Sequence, residues 1–287
     1  MNQLSFRNSL LLTIVFFGFC FNCFSQNLKK DRKKITIELE KAYESDQKFR
    51  QKYNACMSAS DGTGDECKKQ RDELILQDSA NQKIVGRVLD QYGWLSKKQT
   101  SDKANKAFFY VIQHAPLQFQ SKYANLIDTA FKNKEISPLE YAFFVDRFRT
   151  KQGLAQLYGT QSETDNLGNS YLYPLKNQDT VNKIRSDLKL PSLDLSQIPE
   201  YHFYPRIIDN DTIILIGHIF DKKNSPIPNA EVLLDSKVLG KSNNKGFFII
   251  NIKRPPDGTK VLIQVGSKKN VTVIRGLKDF YNIYMQF

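Results

Sequence analysis

Histidine, cysteine and tryptophan are scarce in this chain: three, four and one residue in 287. The three histidines, His114, His202 and His218, stand far apart and show neither H-E-x-x-H nor H-x-x-E spacing, so no zinc-hydrolase motif is present. The P-loop, the dinucleotide fingerprint and the nucleophile elbow are also missing, and no cofactor is expected. After the first 25 residues only Cys56 and Cys67 remain. Two cysteines are too few for a zinc site, and their spacing is far from C-x-x-C. Acidic residues are in deficit, 30 against 42 basic ones. Such a charge often marks a nucleic-acid binder, but no helix-turn-helix, RNP or finger pattern accompanies it, and no nucleic-acid partner is expected.

What the chain does have begins at its N-terminus. Arg7 precedes an apolar run from Leu10 to Phe19, broken only by Thr13 and Gly18. The run is short for a membrane span. Cys23 and Ser25 are small residues at the −3 and −1 positions of a cut before Gln26. This is the pattern of a cleaved signal peptide over residues 1–25, and it predicts a periplasmic or secreted protein. A lipoprotein anchored through Cys20 or Cys23 is the less favoured reading, because the residues before each cysteine are not small. In an oxidising compartment, Cys56 and Cys67 across a polar, turn-forming stretch favour a disulfide. Closing that loop contributes about 3 kcal/mol in the chain-entropy model. The basic run Lys29, Lys30, Arg32, Lys33 and Lys34 suits peripheral contact with an anionic membrane surface or polymer. The favoured reading of the run is a solvated start to the first helix.

Helical periodicity then dominates. Ile35, Leu39, Ala42, Tyr43, Phe49 and Tyr53 mark a first amphipathic helix, and Leu74 to Tyr92 a second that ends at Gly93. Ser101 caps a third, Pro116 opens a fourth, and Ser137-Pro138-Leu139-Glu140 starts a fifth that Gly153 stops. Residues 154–176 lack a period and read as a long ordered loop. A last helix is expected over 179–188. Pro191, Pro199 and Pro205 punctuate a linker over 191–211. Strands follow at 213–220, 230–234, 247–252, 260–265, 271–274 and 281–287, with turns at Asn224-Ser225-Pro226, Asn243-Asn244, Pro255 to Gly258 and Lys269-Asn270. The fold class is therefore multidomain: a mainly α-helical bundle domain at 28–190, then a small all-β sandwich at 212–287.

Two resemblances bear on this architecture. Gly217, Asp221, Pro226-Ile227, Asn229-Ala230, Val232, Ser242-Asn243, Gly246 and Phe247 resemble the carboxypeptidase regulatory-like, transthyretin-like β-sandwich. That module accompanies peptidases and transporters without catalysing anything itself, so it implies an adaptor and no peptidase activity. The helical part resembles a family of uncharacterised bacterial domains over about residues 35–191. The matching residues are Asp46 with Arg50, Asp78 with Asn81, Gly93-Trp94, Gln113-His114-Ala115, Asp146-Arg147, and Gly153 through Gln161. The cysteine loop departs from that pattern as an apparent insertion. The resemblance implies a unified fold and no particular reaction.

One polar constellation is a candidate site. His114 and Asp146 each lie near the C-terminal end of a helix, and one helix intervenes between the two. Antiparallel packing of neighbours would bring both ends to one mouth of the bundle, beside the loop that carries Gln156, Tyr158, Thr160 and Gln161. In the functional reading His114 is a general acid or base, Asp146 orients it, and Arg147, Gln156, Tyr158 and Gln161 hold a polar or anionic ligand or a protein partner. In the structural reading His114 caps its helix, Asp146 and Arg147 pair internally, and the loop groups satisfy their own backbone. The first function expected is an exported binding or interaction protein with the sandwich as adaptor. The alternative is a hydrolase or transferase built on His114 and Asp146.

Overall fold

The computed structural model describes residues 5–59, 64–164, 170–197 and 211–287, with side chains from Asp31 onward apart from those of 59, 163, 164, 171 and 197. It shows helices in the N-terminal part and two sheets in the C-terminal part. The helices are α1 (Ser5–Ala59), α2 (Asp65–Tyr92), α3 (Asp102–His114), α4 (Leu117–Lys132), α5 (Pro138–Lys151) and α6 (Val181–Asp187). Among the described residues no helix is long and apolar enough to cross a membrane. The side chains of the expected leader, and of Lys29 and Lys30, lie outside the described residues, as do 198–210 of the expected linker. By packing, the chain divides into two compact units, Met1–Ser137 and Pro138–Phe287. Helices α5 and α6, expected to share a domain with the first four, group with the sandwich instead.

In the first unit α1 packs along α2 and α3, and α3 also meets α2 and α4. The seam on α1 is a stripe at heptad-like spacing: Ile35, Leu39 and Ala42, all buried. The core of this unit also takes in buried Leu74, Val85, Val88 and Leu89 of α2 and Ala104, Phe108, Val111 and Ile112 of α3. The helix ends follow the expected signals. Ser101 Oγ accepts a hydrogen bond from the Ala104 amide at 3.1 Å, and Gly93 ends α2 with φ +69°. Cys56 and Cys67 form a disulfide, with Cα atoms 5.7 Å apart, which ties the end of α1 to the first turn of α2.

In the second unit a three-stranded sheet runs β6-β3-β9 and a four-stranded sheet runs β5-β4-β7-β8. These are β3 (Thr212–Phe220), β4 (Glu231–Leu234), β5 (Lys237–Lys241), β6 (Phe247–Lys253), β7 (Lys260–Val265), β8 (Lys268–Val273) and β9 (Phe280–Gln286). Ile213, Leu215, Ile219 and Ile283 of one sheet share a core with Val232, Val261 and Ile263 of the other. All the pairings are antiparallel except β3 with β9. Strand β5 was not expected. It follows a two-residue turn at Asp235-Ser236, both with positive φ, the hairpin geometry that matches strand twist. The turn expected at Lys269-Asn270 is corrected: both residues lie inside β8, and the chain reverses at Gly266-Ser267, between the paired Val265 and Lys268. Gly266, with φ +58°, provides the required conformation.

Strand β3 is buried at every position after its first, unlike the alternation of a sheet wet on one side. Its second face is covered from the loop that follows α5. Ala155 and Tyr173 pack with Ile214, Ile216, Phe247 and Phe280. Gly153 O accepts hydrogen bonds from the amides of Asp279 and Phe280, at 2.8 and 3.1 Å, and Asp279 Oδ2 accepts one from the Ala155 amide at 3.0 Å. The continuous apolar run from Ile213 to Ile216 is thus the sequence of a strand with a core on both sides. The same loop holds a short hairpin, β1 (Ser162–Thr164) with β2 (Ser170–Leu172).

Candidate functional site

The apolar stripe of α1 reaches Ala42 and would continue one turn later at position 46. The chain places Asp46 there, with 1% of its surface exposed. A carboxylate at a core position needs partners, and three side chains supply them. His114 Nδ1 lies 2.9 Å from Asp46 Oδ1, Arg50 Nε donates to the same oxygen at 3.1 Å, and Gln47 Nε2 donates to Oδ2 at 2.8 Å. Burial opposes the charged form of Asp46, but the hydrogen bond and charge of His114, with those of Arg50, outweigh it and hold the carboxyl below its ordinary range. Because Asp46 can only accept, His114 carries its proton on Nδ1, and Nε2 becomes the basic ring nitrogen.

Arg50 extends the cluster to α2, donating through Nη2 to both oxygens of Asp78 at 2.7 Å. Burial raises the carboxyl of Asp78 above its usual value, against the pull of Arg50. One turn on, buried Asn81 accepts at Oδ1 from Ser45 Oγ at 2.9 Å and Gln77 Nε2 at 3.1 Å. Both motif pairs, Asp46 with Arg50 and Asp78 with Asn81, therefore converge on the α1–α2 seam, and the Gln113-His114-Ala115 motif supplies the imidazole from α3.

This cluster forms the back of an open cleft of about 610 Å³, inside the size range of small-molecule sites. One wall is α1, with Gln47, Gln51, Asn54 and Ser58 in a row and Arg50 and Ala55 beside them; the other is Tyr110 and His114 of α3. The rings of Tyr110 and His114 lie 6.0 Å apart between centroids, as residues one turn apart on a helix should.

The remaining candidates have other work. Asp146 is fully buried and serves the loop after α5. It accepts from the amides of Leu157 (2.7 Å), Tyr158 (3.0 Å) and Thr160 (2.9 Å) and from Thr160 Oγ1 (2.9 Å). Burial pushes its carboxyl up while these four bonds favour the charged form. Arg147 does not pair with Asp146 as the structural reading supposed; its Nε donates to Gln161 Oε1 at 2.9 Å. Gln156, fully buried, donates to Gln161 O and Tyr173 O and accepts from the Gln161 amide. Tyr158 is 8% exposed, and its carbonyl accepts from Arg185 Nη1 at 2.6 Å. The Gly153–Gln161 motif is thus a loop tied down by Asp146 of α5, Arg185 of α6 and Asp279. The partner that orients His114 is Asp46, and the expected role of Asp146 is corrected accordingly: its oxygens are occupied by backbone of its own unit.

His218 is buried in β3, stacked on Tyr284 at 4.9 Å and close to Phe247 at 4.8 Å. His202 lies outside the described residues. Among the described residues no group of three histidine, cysteine or acidic side chains could hold a metal. Several residues quoted for the sandwich resemblance are turn-makers. Asp221 Oδ1 accepts from the amides of Lys223 and Ser225, and Asn243 Oδ1 from those of Lys245 and Phe247. Gly217 leaves room for the Phe248 ring, which a Cβ would meet at 1.9 Å.

The model of the family of unknown function DUF6624 matches residues 34–201. The chain belongs to this family. The match takes in all of the Asp46–His114 cleft and the Asp146 loop, and it stops before β3. No curated protein matches the chain. In DUF6624 terms, the motif positions separate into two clusters with different duties: one builds a cleft, the other knots a loop.

Proposed function

We propose that this DUF6624 protein is an exported binding protein whose recognition site is the α1–α3 cleft. One observation carries the proposal: a buried aspartate holds a histidine at the edge of an open, polar-walled cleft. Arg50 already neutralises two carboxylates, which weakens its pull on an anion. Among the described residues no acidic side chain lines the cleft either. A neutral polar ligand therefore suits it better than the anion allowed by the sequence. The Leu10–Phe19 leader pattern and the Cys56–Cys67 bond support export, and the sandwich, as a carboxypeptidase regulatory-like module, serves as adaptor.

Thermal-shift screening of the mature protein against neutral sugars, polyols, amides and amino acids tests the site. A ligand should raise Tm in the native protein and not in a Gln51→Lys/Asn54→Lys variant of unchanged apo Tm. Equal shifts in both proteins, or no shift with any compound at millimolar concentration, would sink the proposal. Export has its own test. The mature N-terminus should be Gln26 or lie within a few residues of it, and a cytoplasmic protein retaining Met1 would refute it.

The Asp46–His114 pair also favours a second reading, acid–base catalysis. Nε2 would take a proton from a bound hydroxyl or water, and Asp46 would stabilise the imidazolium formed. Loss of turnover in Asp46→Asn with ligand affinity retained would distinguish it from binding alone.

A further inference from the structure

We infer that the ligand of this cleft is an extended, uncharged glycan chain, bound lengthwise along α1. The inference rests on the proposal that the cleft is a binding site, and it specifies what that site takes. The first ground is shape. Gln47, Gln51, Asn54 and Ser58 recur at spacings of four, three and four along α1, so they form one row on one face of the helix. At 1.5 Å per residue the row is about 16 Å long. A row of that length matches a linear chain of several units, whereas a single small metabolite would leave most of it unused.

Chemistry is the second ground. Each group in the row is an amide or a hydroxyl, able both to donate and to accept, as a sugar hydroxyl also is. Gln51, Asn54 and Ser58 are exposed, so meeting a ligand does not require moving them. The opposite wall presents one aromatic ring, Tyr110, half-buried at the cleft edge. Such a ring has an apolar face for the C–H side of a sugar and a polar tip for its hydroxyls. A peptide would need a free strand edge or apolar side-chain pockets; here the wall is helical, and among the described residues its one aliphatic side chain is Ala55.

Charge is the third ground. Arg50 is matched by Asp46 and Asp78, and both carboxylates sit behind the cleft wall rather than in its lining. Among the described lining residues Arg50 is the one Arg or Lys, so a phosphorylated or uronic chain would compete with two carboxylates for it, and a cationic chain would meet no carboxylate there.

Isothermal titration of the full mature protein with uncharged oligosaccharides of graded length tests this. The probes are the β-1,4-glucose, α-1,4-glucose and N-acetylglucosamine series, from monomer to hexamer. One series should bind, with affinity rising at least tenfold from dimer to tetramer and then levelling off. Gln51→Ala/Ser58→Ala should flatten that length dependence while leaving the apo Tm unchanged. Tighter binding of a neutral peptide such as tetra-alanine would overturn the inference, and so would affinity independent of chain length. If the thermal-shift screen finds ligands that the Gln51→Lys/Asn54→Lys variant loses, yet no oligosaccharide binds, the glycan assignment fails and the binding site stands. If neither experiment finds a ligand, both fail.

Discussion

Asp46 shows how a single residue can turn a packing seam into a site. Its position belongs to the core, and its charge is tolerated because His114, Arg50 and Gln47 each meet it. Removing one partner of such a buried set costs about 3 kcal/mol or more, so Asp46→Ala should lower the unfolding free energy by that order in denaturant titration. The pH dependence has a definite sign. The carboxyl is depressed in the folded state, so its contribution is complete above the unfolded value near 4 and is lost as pH falls through the lower folded value. Scanning Tm from pH 5 to pH 2 should show a steeper acid loss in the native protein than in Asp46→Asn. An unchanged slope would mean that the carboxylate is not held as described. His114→Ala should be milder, about 1 to 2 kcal/mol, since Arg50 and Gln47 still serve Asp46.

At the scale of elements, two ties matter. The Cys56–Cys67 bond joins α1 to α2 beside the residues Asn54, Ala55 and Ser58 of the cleft. Its loss in a Cys56→Ser/Cys67→Ser variant should cost about 3 kcal/mol by loop entropy, measured as the shift in urea midpoint at constant slope. The second tie is Asp146, one carboxylate on α5 accepting from three backbone amides of the following loop. Asp146→Ala strands three donors, at about 1 to 3 kcal/mol for each one that stays unsatisfied. Hydrogen exchange should accelerate first at Leu157, Tyr158 and Thr160, while the helical unit keeps its protection. Uniform loss across both units would argue against a local knot.

Family match and packing draw different borders in this chain. The family match ends at residue 201, yet the segment from α5 to α6 groups by packing with the β-sandwich. Gly153, Ala155 and Tyr173 meet Asp279, Phe280 and Ile214 through hydrogen bonds and a shared core. A protein ending at Asn210 should therefore leave α5 and its loop exposed to protease, with helical content by circular dichroism below that expected for six helices. Full protection of residues 138–197 in that truncation would show that the loop does not need the sheet.

Much of this was legible from local signals, because local signals report local physics. Ser101, Gly93 and Gly153 mark helix ends through capping and positive φ. The cysteine pair encloses a short polar loop, and the run from Ile213 reads as a strand. Strand β5 escaped because Val238 and Leu239 stand among Lys237, Gly240 and Lys241, too brief a pattern to show a period. The site was half visible. His114 stood out by rarity, and Asp46 could have been noticed as a charge interrupting the series Ile35, Leu39, Ala42. Its partnership with His114 spans 68 positions, and spacing along a helix cannot choose between Asp46 and Asp146 as the group that meets an imidazole. That choice was made by packing: α1 lies against α3 and brings Asp46 to His114, while α5 turns its aspartate toward the amides of its own following loop.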